Sequence, residues 1–211
     1  MSVRAATEND LPAIVAIKQR LAFQGVNRGG FLLGSSEAGY RERLSAGRIW
    51  LLERARVLGF AVTLYPAELR ASPLWELAKH IQWQRQLDAP TLEEVGYFDQ
   101  LAMLPGCGSR AGLELAAFAF WDLATHSRYV VTTTVRSPVT NLAAVPLIER
   151  VGGERVGQLA ESYPELGALV SDIWLIPSAR ACATLSHGTR AAERWFRTTL
   201  PLGNQGTNAR A

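Results

Sequence analysis

Apolar positions along the chain fall into two spacings, and each predicts a different element. Leu11, Ile14, Val15, Ile17 and Leu21 recur every three or four residues, which predicts a helix over Leu11–Phe23. Before it, Ser2–Ala6 reads as a short strand and Thr7-Glu8-Asn9-Asp10 as a turn with helix-capping residues. Pro12 falls in the first helical turn, where a missing N–H costs little. A glycine-rich link, Gly25–Gly34, leads to a second helix, Ser35–Ser45, capped by Ser35 or Ser36. Ile49–Glu53 and Val57–Tyr65 flank Arg54-Ala55-Arg56 and predict a hairpin. Gly59 within it marks a bulge or a close backbone approach.

Residues 67–94 are polar and aromatic, with a helix predicted over Pro73–Gln84 after Ser72. Its Trp75, His80 and Trp83 either pack onto a sheet or wall a substrate pocket. An apolar run, Val95–Leu104, then stops at Pro105, and Gly106-Cys107-Gly108-Ser109 leads into a helical run, Gly112–Ala124. Tyr129–Val135 is rich in β-branched residues and predicts a strand. Ser137-Pro138 is read as opening a helix to about Val151, kinked at Pro146 and ended by Gly152-Gly153. Glu154–Ala160 and Leu169–Ile176 are the last strands, and Ala179–Thr199 forms a C-terminal helix. The domain therefore spans 1–177 with a helical insertion at 66–94, a helix segment at 178–202 and a loose tail at 203–211.

Strand, small-residue turn, helix is a geometry for holding an anion. The first helical turn has N–H groups without intrahelical partners, at the positive end of the helix dipole. Small residues at 106–109 let a phosphate approach the bare backbone. A tight connection with no ligand is the alternative.

Composition adds limits. The chain has 211 residues, 48% of them apolar, enough for one domain with a substantial core. Its net charge of +3 is spread along the chain, which suits a small anionic ligand and gives no support for nucleic acid. No run is long enough for a membrane span, and the first residues lack the pattern of a signal peptide. Two cysteines, Cys107 and Cys182, imply a reducing compartment, so the cytoplasm is expected. His80, His126 and His187 have no metal-ligand spacing, and no metal is expected.

The predicted order is β-α-α-β-β-insert-β-α-β-α-β-β. Three stretches, VRAATENDLPAIVAI, LAMLPGCGSRAGLEL and NLAAVPLIERVGGERVG, resemble in order and spacing segments of the GCN5-related N-acetyltransferase (GNAT) superfamily. The resemblance runs from Val3 to about Ile176. It implies an α/β (α+β) fold with a mixed, mostly antiparallel central sheet and helices on both faces. The fourth and fifth strands, here Val95–Leu104 and Tyr129–Val135, would splay apart. Acyl-CoA, as acetyl-CoA or a relative, would lie in the gap with its pantetheine arm along Leu101, Ala102 and Met103. Its diphosphate would rest on Cys107, Gly108, Ser109, Arg110, Ala111 and Gly112, and Asn141 would stand near the thiol arm.

This chain departs from the family pattern at several positions. Cys107 stands at the usual Gln/Arg position of the turn and Arg110 at the first glycine, where its guanidinium could pair with a phosphate. Ile148 falls where many members carry the tyrosine that protonates the departing thiolate, and Gly153 replaces an aromatic. Cys107 sits at a helix start that can lower a thiol pKa, yet direct transfer in this fold needs no nucleophile.

Acyl transfer to an amine needs in-line positioning, a polarised carbonyl and a proton acceptor. Period two puts Asp99, Leu101 and Met103 on one strand face, so Asp99 is the expected base, with Glu94 second and Tyr97 or Tyr163 as acids. Thr132–Thr134 and Ser137 could hydrogen-bond a ligand, while Trp174 and Trp195 belong to core or interface. The expected activity is transfer of an acetyl or related acyl group to an amine, either a small molecule or a protein N-terminus. A non-catalytic acyl-CoA-binding module is the alternative. The resemblance implies that the acceptor site is shaped by about Phe23–Ser36, the insertion 66–94 and the 160–168 loop, and these contain no strong acidic cluster, which disfavours a polycationic acceptor. A homodimer could form through the apolar C-terminal helix.

Overall fold

In the computed structural model, residues 1–23, 30–33, 36–85, 87, 92–163 and 167–186 are described. Most of the Gly25–Gly34 link, the alternative cap Ser35, the helix beyond Ser186 with Trp195, and the 203–211 tail lie outside them, as does His187. Eight strands form one sheet: β1 (Ser2–Ala5), β2 (Arg48–Glu53), β3 (Val57–Leu64), β4 (Gln82–Trp83), β5 (Val95–Met103), β6 (Tyr129–Ser137), β7 (Glu154–Tyr163) and β8 (Gly167–Pro177). Their spatial order is β1-β2-β3-β5-β6-β8-β7-β4. Every pairing is antiparallel except β5 with β6. Helices are α1 (Leu11–Arg20), α2 (Glu37–Ala46), α3 (Pro66–Ala71), α4 (Pro73–Leu77), α5 (Ser109–Ala124), α6 (Val145–Arg150) and α7 (Ser178–Ser186).

The sheet buries both faces, which explains why its central strands read as unbroken apolar runs. On one face lie α5 and α7, with Leu115, Phe118, Phe120, Ala181 and Leu185 against Trp50, Phe98, Val130 and Trp174. On the other face, α1 brings Leu11, Ile14 and Ile17, and α2 brings Tyr40, onto Ile49, Leu51, Phe60 and Val62. Beyond them the 66–94 insertion covers the rest of that face, placing Leu69 and Leu87 with Val95, Leu159 and Ile173. Completely burying one such aliphatic or aromatic side chain contributes about 2 kcal/mol.

Two expected helices take a different form. Pro73–Gln84 is not continuous: α4 ends at Leu77, a 3-10 turn covers Ala78–His80, and Gln82–Trp83 pairs with β7 as an edge strand. Pro66 and Pro73 each open a separate short helix, since proline cannot accept continuation from a preceding turn. Gly157 admits the new strand; a Cβ there would meet Ile81 at 2.9 Å and the Gln82 carbonyl at 3.0 Å. The helix expected from Ser137 also shortens. β6 continues through Ser137, the Ser137-Pro138 bond is cis, and helix begins only at Val145. In between, the Asn141 N–H donates to the Val135 carbonyl at 2.8 Å and folds the chain back as a turn. Pro146 consequently sits in the first turn of α6 and kinks nothing.

Candidate active site

β5 and β6 pair over Val95–Tyr97 and Tyr129–Val131, then part. Each continues with its other neighbour: β5 with β3 to Met103, and β6 with β8 to Ser137. A β-bulge accompanies the divergence. Phe98 pairs with Thr63 and Gln100 with Val62, leaving Asp99 without a partner on β3. Such an extra residue bends its strand and increases local twist. Side chains close the apex on both faces. The Thr132 hydroxyl donates to the Phe98 carbonyl at 2.8 Å, and the Tyr97 and Thr133 hydroxyls lie 3.3 Å apart.

Between the parted strands lies a cleft of about 280 Å³. Asp99, Leu101 and Met103 edge it on β5, Ile148 on α6, and Phe31 and Asn141 from two loops. Ala102 itself points to the opposite face and packs with Phe60 and Leu104 in the α1 cluster. The Asn141 side chain is engaged by protein: Nδ2 donates to the Phe31 carbonyl at 2.9 Å, and Oδ1 accepts from the Ala143 N–H at 3.4 Å. Asn141 therefore ties the 30–33 segment to the cleft rim.

The turn before α5 has positive φ at Gly106 (86°) and Gly108 (79°), a conformation costly for residues with a Cβ. A Cβ at either position would meet nothing within 4 Å, so this side of the turn is open. Helix starts at Ser109 with Gly108 as N-cap. At Gly112 a Cβ would meet only Met103, at 3.5 Å. Arg110 is 85% exposed, with Glu114 3.9 Å away. Ala111 is buried in the core under α5. Cys107 turns inward as well, packing against both core clusters, and its N–H donates to the Leu104 carbonyl at 3.4 Å.

The face shared by Asp99, Leu101 and Met103 does not survive the bulge. Leu101 and Met103 pack with the α5 cluster, whereas Asp99 Oδ2 accepts from Arg43 Nε of α2 at 2.5 Å. Beside this pair the Tyr40 hydroxyl donates to Gln100 Oε1 at 2.9 Å. Glu94 precedes the paired end of β5, away from the parting, and its carboxylate lies 3.5 Å from Arg128.

Because β7 extends to Tyr163, Glu161 also reaches this region, a residue the shorter predicted strand left out. The alternation Leu159, Glu161, Tyr163 is the sequence signal for it. The Tyr163 hydroxyl donates to Glu161 Oε2 at 3.3 Å. Burial, together with the charge of Asp99, pushes the Glu161 carboxyl above the usual carboxylate range, while bonds from Ser171 and Tyr163 act the other way. Burial likewise raises the Tyr97 and Tyr163 phenols well above an ordinary tyrosine. Ile148, 5% exposed, is held by Gly153, where a Cβ would lie 2.5 Å from Ile148 Cγ2. That contact explains why no aromatic stands at 153. Among the described residues no group of three or more His, Cys, Asp or Glu could hold a metal ion, and no helix is long and apolar enough to cross a membrane.

A mixed sheet whose central parallel pair opens beside a glycine turn and helix start defines a fold class: the chain has the GNAT fold. Ribosomal-protein-alanine N-acetyltransferase from Brucella melitensis is similar at a TM-score of 0.54 and 16% identity, over 84% of this chain and 99% of that one. A mutant form of spermidine N-acetyltransferase SpeG from Vibrio cholerae gives 0.52 and 17% over 85% and 95%. The yncA structure from Salmonella typhimurium, determined with its cofactor acetyl-CoA, gives 0.54 and 14% over 84% and 94%. No sequence-family profile and no curated protein sequence matches the chain.

Proposed function

We propose that the protein is an N-acyltransferase that moves an acetyl or related acyl group from acyl-CoA to an amine. The observation that carries this reading is the parting of β5 from β6 after Tyr97 and Val131, which leaves a cleft beside an unpaired strand edge. An extended amide-bearing arm laid there can hydrogen-bond β5 as an added strand would. At the far end of β5, the open turn and the first N–H groups of α5 suit a diphosphate. The residues present fit acyl-CoA: Gly108 and Gly112 keep that corner clear, and Leu101 and Met103 give the arm an apolar wall.

In this reading the thioester lies near the apex, where a backbone N–H on the open edge of β5 polarises its carbonyl. Holding the amine in line supplies much of the rate. Ile148 has no proton to give, so a different group or water protonates the departing thiolate.

The test combines two measurements. Acetyl-CoA at about a hundredfold its Kd adds about 2.7 kcal/mol to stability, which for a chain of this size raises Tm by about 8 °C. Thiol release in the presence of primary amines then reports turnover. Stabilisation without thiol release across the panel would favour a binding module, and no stabilisation at all would remove the acyl-CoA site.

A further inference from the structure

A second cavity, of about 90 Å³, lies under the point where β5 and β6 part. Its floor is the sheet, with Val131, Leu159 and Ile173; its roof is the insertion, with Leu74, Trp75 and Ala78. Thr133 lines both this cavity and the cleft, so the two adjoin at the apex across the Tyr97–Thr133 contact. Glu161 lines the cavity too. The titratable and charged groups around it, among the described residues, are Tyr163 on its own strand, Tyr97 and Asp99 on β5, and Arg43 on α2. Arg43 is committed to Asp99. Among the described residues Glu161 makes no ion pair, and its Oε2 accepts from the Tyr163 hydroxyl at 3.3 Å. A half-buried carboxylate in an apolar pocket is costly without a positive partner.

We propose that the 66–94 insertion builds the acceptor site, which takes a primary amine with a short apolar side chain and seats its ammonium group at Glu161. This rests on the acyl-transfer reading above. The ammonium supplies the cation that Glu161 lacks, and the side chain fills the space under Leu74 and Trp75. An apolar cavity of about 150 Å³ holds benzene, so this smaller one suits a branched chain of about four carbons. A polyamine would press further ammonium groups against apolar walls, where an unpaired charge is strongly disfavoured. In the reaction, R–NH3⁺ loses one proton to Glu161 and the freed nitrogen pair attacks the acyl carbonyl carbon. The nitrogen then gives its second proton to water as the C–S bond breaks, and water passes a proton to the sulfur. The products are the N-acyl amine and CoA thiol, with one proton released to solvent.

The test uses the full chain with acetyl-CoA as donor and isobutylamine or spermidine as acceptor. Isobutylamine is expected to show kcat/KM at least about tenfold higher. Ala78→Phe, which fills the cavity, raises the isobutylamine KM about tenfold with the acetyl-CoA Kd unchanged. Trp75→Ala, which widens it, moves the preference towards phenethylamine. Glu161→Gln lowers kcat/KM about thirtyfold and removes the rising limb of its pH profile. Preference for spermidine, an unchanged KM in Ala78→Phe with an unchanged preference in Trp75→Ala, or turnover of other primary amines but of neither of these two would overturn the acceptor site alone. A wild-type chain that does not bind acetyl-CoA would overturn the acyl-transfer reading beneath it.

Discussion

Single residues decide whether the two ends of the cleft can hold a ligand. At Gly112 an added Cβ meets only Met103, at ordinary contact distance, so a larger side chain projects into open space. Gly112→Trp should therefore fold with an unchanged circular dichroism spectrum and weaken acetyl-CoA binding at least about a hundredfold by calorimetry. An unchanged Kd would put the diphosphate elsewhere. Gly153 is glycine for the opposite reason: its space is already filled by Ile148. Asp99 illustrates how neighbours assign a role. Its carboxylate is committed to Arg43, and its charge makes ionisation of Glu161 harder. Asp99→Asn removes that negative neighbour and frees Arg43, so the rising limb of kcat/KM should move to lower pH. If Asp99 were itself the base, the limb would vanish.

At the scale of elements, short-range polar contacts hold the frame on which the site rests. Arg4 of β1 donates to Asp10 Oδ1 at 2.7 Å and Oδ2 at 2.9 Å, and to Glu53 of β2 at 2.7 Å. Asp10 also accepts from the Thr7 N–H at 2.8 Å, fixing the entry to α1. The Arg4 hydrogen bonds, set against burial, hold the Asp10 carboxyl well below the usual carboxylate range. A depressed folded-state pKa gives stability that is present above the unfolded value, about 4, and is lost as pH falls below it. Arg4 is 38% exposed, so the contribution is discounted to about 1 kcal/mol. Asp10→Asn should lower Tm by about 3 °C at pH 7, and the difference from wild type should close as the pH drops below about 3. A gap that stays constant across that range would rule out the ion pair as its source.

For the whole molecule, the sheet both makes the site and divides it. One face carries the long helix whose first turn meets the glycine corner, and the other carries the insertion that roofs the second cavity. The opening runs between the faces because β5 and β6 each have a better-paired neighbour to follow once the bulge at Asp99 turns β5 away. In the proposed reaction, donor and acceptor would approach the apex from separate sides. The chain is only 14–17% identical to the similar solved structures described, so the likeness is one of fold.

The amino-acid sequence by itself determined α1, the β2–β3 hairpin, the strands β5 and β6, and the glycine turn into α5. Each is written in local spacing, in β-branched runs or in residues that tolerate positive φ. The 73–84 segment leaves the helix after Leu77 because Gln82–Trp83 pairs with the edge of β7. The 137–151 segment starts its helix late because Asn141 folds the chain back. Pro138 and Pro146 each fit a first helical turn, so local sequence does not choose between them. The contacts around the apex were decided by tertiary structure alone. Period two predicts one face for Asp99 and Leu101, but a single unpaired residue in the ladder sends Asp99 to Arg43, 56 positions away, and Leu101 to the core under α5. Glu161 gains its place only when distant strands align. Local pattern fixes how a segment folds, whereas a carboxylate's partners depend on which remote segments pack beside it.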